Sequence, residues 1–417
     1  MEFSEFILLH DGQDIASLAL QRNRLCKEVD SFDLALNTLQ ARSKLKNKLP
    51  SWYAVPSLHY PLPLSAEQCS SQETAIYKSS ILKGKAVADL TGGLGVDSWA
   101  FSKIADKVLY NEMKPELVKA AEHNFKELGV NNVVMRNHMV ENGKVKEIVD
   151  GFEPDVIFLD PARRDDVGRK VFMLEDCSPN VPELLPELYD ASARIMLKLS
   201  PMADITAVCR QLPGIKEVHV VEADGECKEL LLVLEKGYQK HYRLFLYASG
   251  AVTEIPEQVG NDGCGIAGND AQCHGRLGPA ISNKVLFVPG KGLMKTGAFW
   301  WPETFGFKQL AASTHMYTGQ AKVLELEPFG KFYNIVETVP LSNKSIKEIG
   351  KKYPDADVTA RNIPMTSDEL RKRLGVRPSD GSVHIFGTQR NSDKVLIICL
   401  ATEREAPVPP RRVRTSE

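Results

Sequence analysis

The stretch VADLTGGLGVD, residues 87–97, decides how this chain is read. An apolar run ends at Asp89, a turn follows with Thr91, Gly92, Gly93 and Gly95, and a helix is expected to begin near Asp97. Glycines let a backbone pass close to a ligand with no Cβ in the way. The amides at a helix start favour an anionic or carboxylate-bearing group. A strand, a glycine turn and a helix make a nucleotide-type cradle, and its ligand has to be read from the residues around it.

Outward from this turn, short apolar strands alternate with helices. Strands are expected at residues 86–90, 108–111, 132–136, 156–159 and 194–199. Helices are expected at 98–105, 115–128, 144–149, 182–189 and 203–212. That alternation implies a parallel sheet covered on both faces, with right-handed crossovers. Two further strands, 217–223 and 228–235, flank Asp224-Gly225-Glu226, a strong hairpin signal. A parallel sheet finished by an antiparallel hairpin is the architecture of class I methyltransferases, whereas nicotinamide-binding sheets normally end in another parallel strand.

Several residues then fall at the carboxyl edge of the sheet, where ligands of open α/β folds lie. Glu112 ends the second strand and can accept both hydroxyls of a ribose; a solvent-facing charge is the plain alternative. Reading G-x-G-x-x-G from Gly93 gives Gly95 and then Ser98, so the third glycine of a dinucleotide site is absent. Asn137 and His138 end the third strand, where a base edge would pass, although a structural turn fits them equally. The fourth strand delivers Asp160-Pro161-Ala162-Arg163-Arg164 beside Asp89; Asp-Pro is also a common turn pair.

The 417 residues are 43 % hydrophobic and 25 % charged with a formal charge of −2, ordinary for a protein of two or three domains. The charge is uneven. Residues 331–417 hold 16 Lys+Arg and 11 Asp+Glu, a net +5, which leaves −7 for residues 1–330. This favours an anionic partner for the C-terminal part or a solvated surface with a basic tail. MEFSEFILLHDGQD at the start has no basic region before an apolar run, and no stretch is long enough to cross a bilayer. The eight cysteines show no CxxC pair and read as reduced thiols of a cytoplasmic protein. Cys264, Cys273 and His274 share a Gly-rich loop, but they match no common zinc spacing and lack a fourth ligand, so no metal is expected.

The chain divides, on these patterns, into an N-terminal helical region (1–80), the sheet domain (81–237), a mixed or ferredoxin-like α+β segment (238–321), a second α+β unit (322–403) and a disordered tail (404–417). In the first region residues 15–45 carry apolar residues at helical spacing, and Ser65 with Gln68 reads as a weak capping box. In the last unit strands are expected at 323–326, 332–338, 383–388 and 394–400, with helices at 345–353 and 367–374.

Residues 160–164 resemble the Asp-Pro-Pro-aromatic loop of methyltransferases that modify exocyclic amines, with Ala162 in place of the second proline and Arg163 in place of the aromatic. They also resemble the Asp-Pro-Pro-Arg loop of 5-methyluridine methyltransferases. Those use a cysteine after the fifth strand, where this chain has Lys198-Leu199-Ser200-Pro201. Together 89–97, 160–164 and 198–204, with 68–71, 75–78, 292–299, 361–362, 369–374 and 386–388, resemble a family of bacterial class I methyltransferases. Its members carry ferredoxin-like and THUMP-like pieces in their C-terminal part. The resemblance implies an α/β fold with a seven-stranded Rossmann-like sheet, S-adenosylmethionine as cofactor, and RNA bound through the C-terminal domain. On it, Asp89, Thr91, Gly92, Gly93, Gly95, Glu112, Asn137 and His138 hold the cofactor, and Asp160, Pro161 and Arg163 orient the acceptor without a cysteine nucleophile. Arg361, Arg371, Lys372, Arg373 and Arg377 are then the phosphate-gripping set. The rival readings are a small-molecule or protein methyltransferase, a non-catalytic binding module and, remotely, a nicotinamide oxidoreductase.

Overall fold

Four-residue runs such as Ala-Val-Ala-Asp and Val-Ile-Phe-Leu are buried along their whole length and form the centre of a sheet. Its strands are β1 (Ala86–Asp89), β2 (Lys107–Asn111), β3 (Val133–Arg136), β4 (Val156–Leu159), β5 (Arg194–Leu199), β6 (Ile215–Ala223), β7 (Glu226–Glu235), β8 (Arg243–Ala248) and β9 (Ala251–Ile255). Their order is β3-β2-β1-β4-β5-β7-β6-β8-β9. β1 pairs in parallel with both β2 and β4, so the strand order reverses at β1/β4, the position at which open α/β sheets take their ligands. Val87, Phe101, Val108, Val156, Phe158 and Met196 fill one core beside the sheet. β6 and β7 are joined by Asp224 and Gly225, both at positive φ (53° and 71°), which matches the expected Asp-Gly hairpin.

This is a computed structural model, describing residues 1–162, 174–257, 285–379 and 381–401. It divides into two compact units, Met1–Ile266 and Ala267–Glu417. In the first unit the N-terminal helices pack onto the sheet domain. Leu45, Leu49, Trp52, Leu58 and Tyr60 share a core with Leu94, Trp99, Tyr110 and Phe125. Trp52 is fully buried, edge-on to Trp99 at 6.2 Å between ring centroids. Helix Gln72–Ile81 leads directly into β1, its first turn capped by Ser71, whose Oγ accepts from the Thr74 amide at 3.2 Å.

The second unit holds β10 (Val285–Pro289), β11 (Lys308–Gln309), β12 (Tyr317–Gly319), β13 (Gly330–Pro340), β14 (Asp357–Ala360), β15 (Val383–Arg390) and β16 (Asp393–Ala401). They form a sheet in the order β11-β12-β10-β13-β16-β15-β14. Helices Asn343–Lys352 and Ser367–Leu374 bury Ile346, Ile349, Leu370 and Leu374 against Val358, Ile385, Leu396 and Ile398. Leu286, Met316, Phe386, Ile397 and Cys399 form a separate core of this unit.

The expected α/β architecture is present, with differences that have physical causes. The sheet has nine strands rather than seven. β8 pairs in parallel with β6 and buries Leu246, Tyr247 and Ala248, so residues 243–255 extend the first sheet rather than open the expected 238–321 segment. Residues 285–319 instead supply three strands to the second sheet. The expected strand at 323–326 is a 3-10 helix, Leu324–Phe329. Its Leu-Glu alternation looks extended, but Pro328 removes a ladder donor. Residues 15–45 break into helices Ile15–Leu20, Arg22–Leu25 and Phe32–Leu45. Ser65 lies inside the short helix Pro63–Gln68 rather than capping it, because Pro63 already fits the first turn. The tail 404–417 and the Cys264, Cys273, His274 loop lie outside the described residues.

Trp52→Ala empties the junction of the N-terminal helices and the sheet. A loss of about 3–5 kcal/mol is expected for a buried aromatic, read as a fall in the denaturant midpoint of the full chain.

Candidate active site

The glycine turn is knitted to three strands. Asp89 at the end of β1 is buried; its carboxylate accepts from Ser98 Oγ at 2.6 Å and from the Thr91 amide at 3.1 Å. The Gly92 amide donates to Asn111 O (2.7 Å), and the Gly93 amide donates to Glu112 Oε2 (3.0 Å). The Asp160 amide donates to Thr91 Oγ1 at 2.7 Å, which ties the end of β4 to the same turn.

The glycines have distinct reasons. A Cβ on Gly92 would lie 2.2 Å from Tyr110 Cε2, and one on Gly95, at φ +89°, would lie 2.8 Å from Phe125 Cζ. Those two accommodate aromatic rings of the protein itself. At Gly93, φ +53°, a Cβ would meet only Thr91 O at 3.9 Å, so its outer side is the open approach to the turn. Gly95 caps the start of helix Val96–Phe101.

Glu112 sits beside this opening. Its Oε1 accepts from the Lys114 amide at 3.0 Å and its Oε2 from Gly93, so each oxygen retains a second acceptor position. Asn137 is turned to the backbone, its amide donating to Glu112 O (2.7 Å) and Met113 O (3.1 Å). The His138 ring is part-exposed, with Nδ1 3.9 Å from Glu147. Asn111, which the sequence reading did not select, is fully buried and holds His138 through both its backbone N–H and C=O (3.0 Å each).

At the end of β4, Asp160 pairs with Lys198 of β5. Lys198 also lies 3.9 Å from Glu229 of β7. Glu229 accepts from Lys78 Nζ at 2.7 Å, and Lys78 further meets Ser70 Oγ (2.9 Å) and Asp97 (3.2 Å). Ser70 Oγ donates to Asp97 Oδ2 at 2.8 Å, which completes a chain of charges from helix Gln72–Ile81 to the end of β4. Lys78 is completely buried and Glu229 nearly so, whereas the Asp160 side chain is 37 % exposed. Asp160, Pro161, Leu174, Cys177, Lys198 and Leu199 line a cleft here. Ala162 forms a bridge with Ser178 by two backbone hydrogen bonds, of 2.7 and 3.0 Å. Arg163 and Arg164 lie outside the described residues.

Sequence reasoning placed Asp89, Thr91, Gly92, Gly93, Gly95, Glu112 and Asp160 together, and they are together. It missed Lys78, Glu229 and the pairing of Lys198. The available signal was a charge inside an apolar strand, Lys in RIMLKL and Glu in ECKELLLVLE.

Burial pushes the Asp89 carboxyl up to about 8, and the neighbouring Asp97 and Asp160 add to this while Ser98 and Thr91 oppose it. Burial works against the Lys198 ammonium, but Asp160, Glu229 and Asp97 outweigh it and raise its pKa above the ordinary lysine value.

In the second unit the basic residues are largely engaged. Arg377 grips Asp355 with two hydrogen bonds (2.8 and 3.0 Å), Arg371 meets Asp368 (2.9 Å), and Arg373 donates to Asn343 (2.6 Å). Arg361 is half-buried and donates to His315 O at 3.2 Å. Lys347, Lys351 and Lys372 are exposed.

A family model described as THUMP domain-like matches residues 330–401, which run from β13 to β16. An uncharacterized S-adenosylmethionine-dependent methyltransferase of Mycobacterium tuberculosis H37Rv is 22 % identical over 325 residues, 75 % of this chain and 80 % of that protein. A crystal structure of a provisionally named methyltransferase from Porphyromonas gingivalis W83 is 28 % identical, with a TM-score of 0.78. The match covers 96 % of this chain and 98 % of that one. The chain is a class I methyltransferase with a THUMP-like domain in its C-terminal unit. Its cofactor is S-adenosylmethionine.

Because Asp89 holds its proton more tightly folded than unfolded, the unfolded chain ionises this group first as pH rises. Its contribution therefore lowers stability progressively between about pH 4 and about pH 8 and levels off above. Asp89→Asn is expected to flatten that part of the stability profile, measured by denaturant unfolding from pH 5 to pH 9.

Proposed function

We propose that this methyltransferase acts on RNA by direct displacement. The observation that carries the reading is the THUMP-like match over 330–401, in a C-terminal stretch with net positive charge beside an acidic remainder. Exposed Lys347, Lys351 and Lys372 supply contacts to phosphates, whereas Arg371 and Arg377 first have to leave their aspartates.

The cradle fits the cofactor on two counts. Gly93 leaves the approach to the turn open, and Glu112 retains acceptor positions for ribose hydroxyls beside it. Asp89, which is buried, shapes the turn through Thr91 and Ser98. Asn137 acts in the same indirect way, by fixing the backbone at Glu112 and Met113. When bound, the cofactor supplies an electrophilic methyl group on a sulfonium. The residues then align the acceptor with that carbon and exclude water. Asp160 and Pro161 stand where an acceptor enters, held to the cradle by the Thr91 hydroxyl.

Calorimetry with S-adenosylmethionine and S-adenosylhomocysteine tests the cradle. Glu112→Gln is expected to weaken binding by roughly 10-fold, as befits loss of hydrogen bonds to a charged acceptor. Bulk tRNA and rRNA are expected to bind with an affinity that falls steeply with salt. Absence of RNA binding at low salt sinks the RNA reading and leaves the cradle standing.

A further inference from the structure

The chain of charges at the acceptor edge says what kind of atom is methylated. A nitrogen acceptor needs its lone pair free and builds positive charge as the new bond forms. An ammonium group beside it opposes that. An oxygen acceptor has the opposite need, because a hydroxyl attacks best as its proton departs and negative charge gathers on oxygen. The partly exposed Asp160 carboxylate and the Lys198 ammonium are paired on one wall of the cleft. A hydroxyl placed there meets a proton acceptor and a cation together.

We propose that the acceptor is a hydroxyl group, namely the ribose 2′-hydroxyl of RNA, with Asp160 taking its proton and Lys198 holding its oxygen. The proposal rests on the RNA reading above, since the 2′-hydroxyl is the one that every unmodified RNA nucleotide carries along the chain. The new C–O bond forms as the C–S bond of the sulfonium breaks, and that electron pair stays on sulfur. The hydroxyl proton passes to the Asp160 carboxylate and from there to water. The proton leaves as the C–O bond forms, so the negative charge that gathers on the oxygen beside Lys198 is drawn into the new bond.

The buried half of the chain keeps Lys198 in place. Glu229 lies between the two lysines, 2.7 Å from Lys78 and 3.9 Å from Lys198, so it anchors Lys198 from the side away from the cleft. Lys78 is a positioning residue, locked by Ser70, Asp97 and Glu229. Two ammonium groups face three carboxylates, Asp97, Asp160 and Glu229, and the single excess negative charge complements a sulfonium. The loop after β4 agrees: Ala162 stands where amine methyltransferases carry a proline, and its backbone is committed to Ser178.

The test uses the full chain, S-adenosylmethionine labelled in the methyl group, and RNA from cells lacking the gene. The expected product is a 2′-O-methylnucleoside, seen by mass spectrometry after nuclease digestion and as a linkage that resists alkali. Label on a base nitrogen overturns the proposal, as does label on a pyrimidine C5, for which Cys177 in the same cleft is the candidate nucleophile. Absence of label in RNA removes the RNA reading itself, and the ribose assignment falls with it. Lys198→Met is expected to lower turnover at least 100-fold while the Kd for S-adenosylmethionine changes less than about threefold. Turnover within threefold of the parent overturns the role of Lys198. Where Lys198→Met does not fold, Asp160→Asn, at a more exposed position, carries the same expectation and the same overturning result. Lys78→Gln is expected to lower kcat with little change in the KM for RNA, and Lys78→Arg to recover part of it; a loss of stability with kcat retained overturns the positioning role.

Discussion

A lysine ammonium removed entirely from water has to find oxygen, and Lys78 finds it in Ser70, Asp97 and Glu229. These partners come from the loop before its helix, from helix Val96–Phe101 and from β7. Leaving one such charge without its partner costs on the order of 3–5 kcal/mol, even though the complete pair is a modest source of stability. The arrangement therefore specifies rather than simply stabilises. It fixes how helix Gln72–Ile81 sits on the sheet, and through Glu229 it reaches the Lys198 side chain that meets Asp160. Of the N-terminal helices, Gln72–Ile81 alone supplies a member of this chain of charges, and no residue before Ser70 belongs to it.

The glycine turn shows a similar division of labour. Two of its glycines make room for Tyr110 and Phe125, rings from β2 and from helix Pro115–Glu127. One, Gly93, has open space on its outer side. A glycine-rich turn in such a sheet thus records the packing behind the turn as much as the molecule in front of it. The Tyr110 hydroxyl also donates to Gly93 O at 2.6 Å, so the ring that forces Gly92 also steadies the open position next to it.

Much of the first sheet was legible because its signals are local. Each parallel strand is a short apolar run, the reversal at β6–β7 is written in Asp224-Gly225, and the acidic residues end the strands that present them. What stayed hidden depends on distance along the chain. Lys78 and Glu229 are 151 residues apart, and a lone lysine on a helix looks like any solvated side chain until the strand that faces it is known. The pairing of β8 with β6 was likewise hidden, because pairing leaves no mark in a single strand. At 323–326 a local alternation misled, since one proline outweighed the pattern.

The two added strands change what the edge of the sheet offers to other molecules. With β6 outermost, nine residues of backbone would stand ready to pair with a further strand. β8 and β9 occupy that position, and β9 presents five residues, with Glu254 held by Arg243 at 2.8 Å. A short, charged border is a poor template for strand addition. The fold thereby replaces a nine-residue border with a five-residue one on this side of the sheet, and the four-residue strand β3 forms the opposite border.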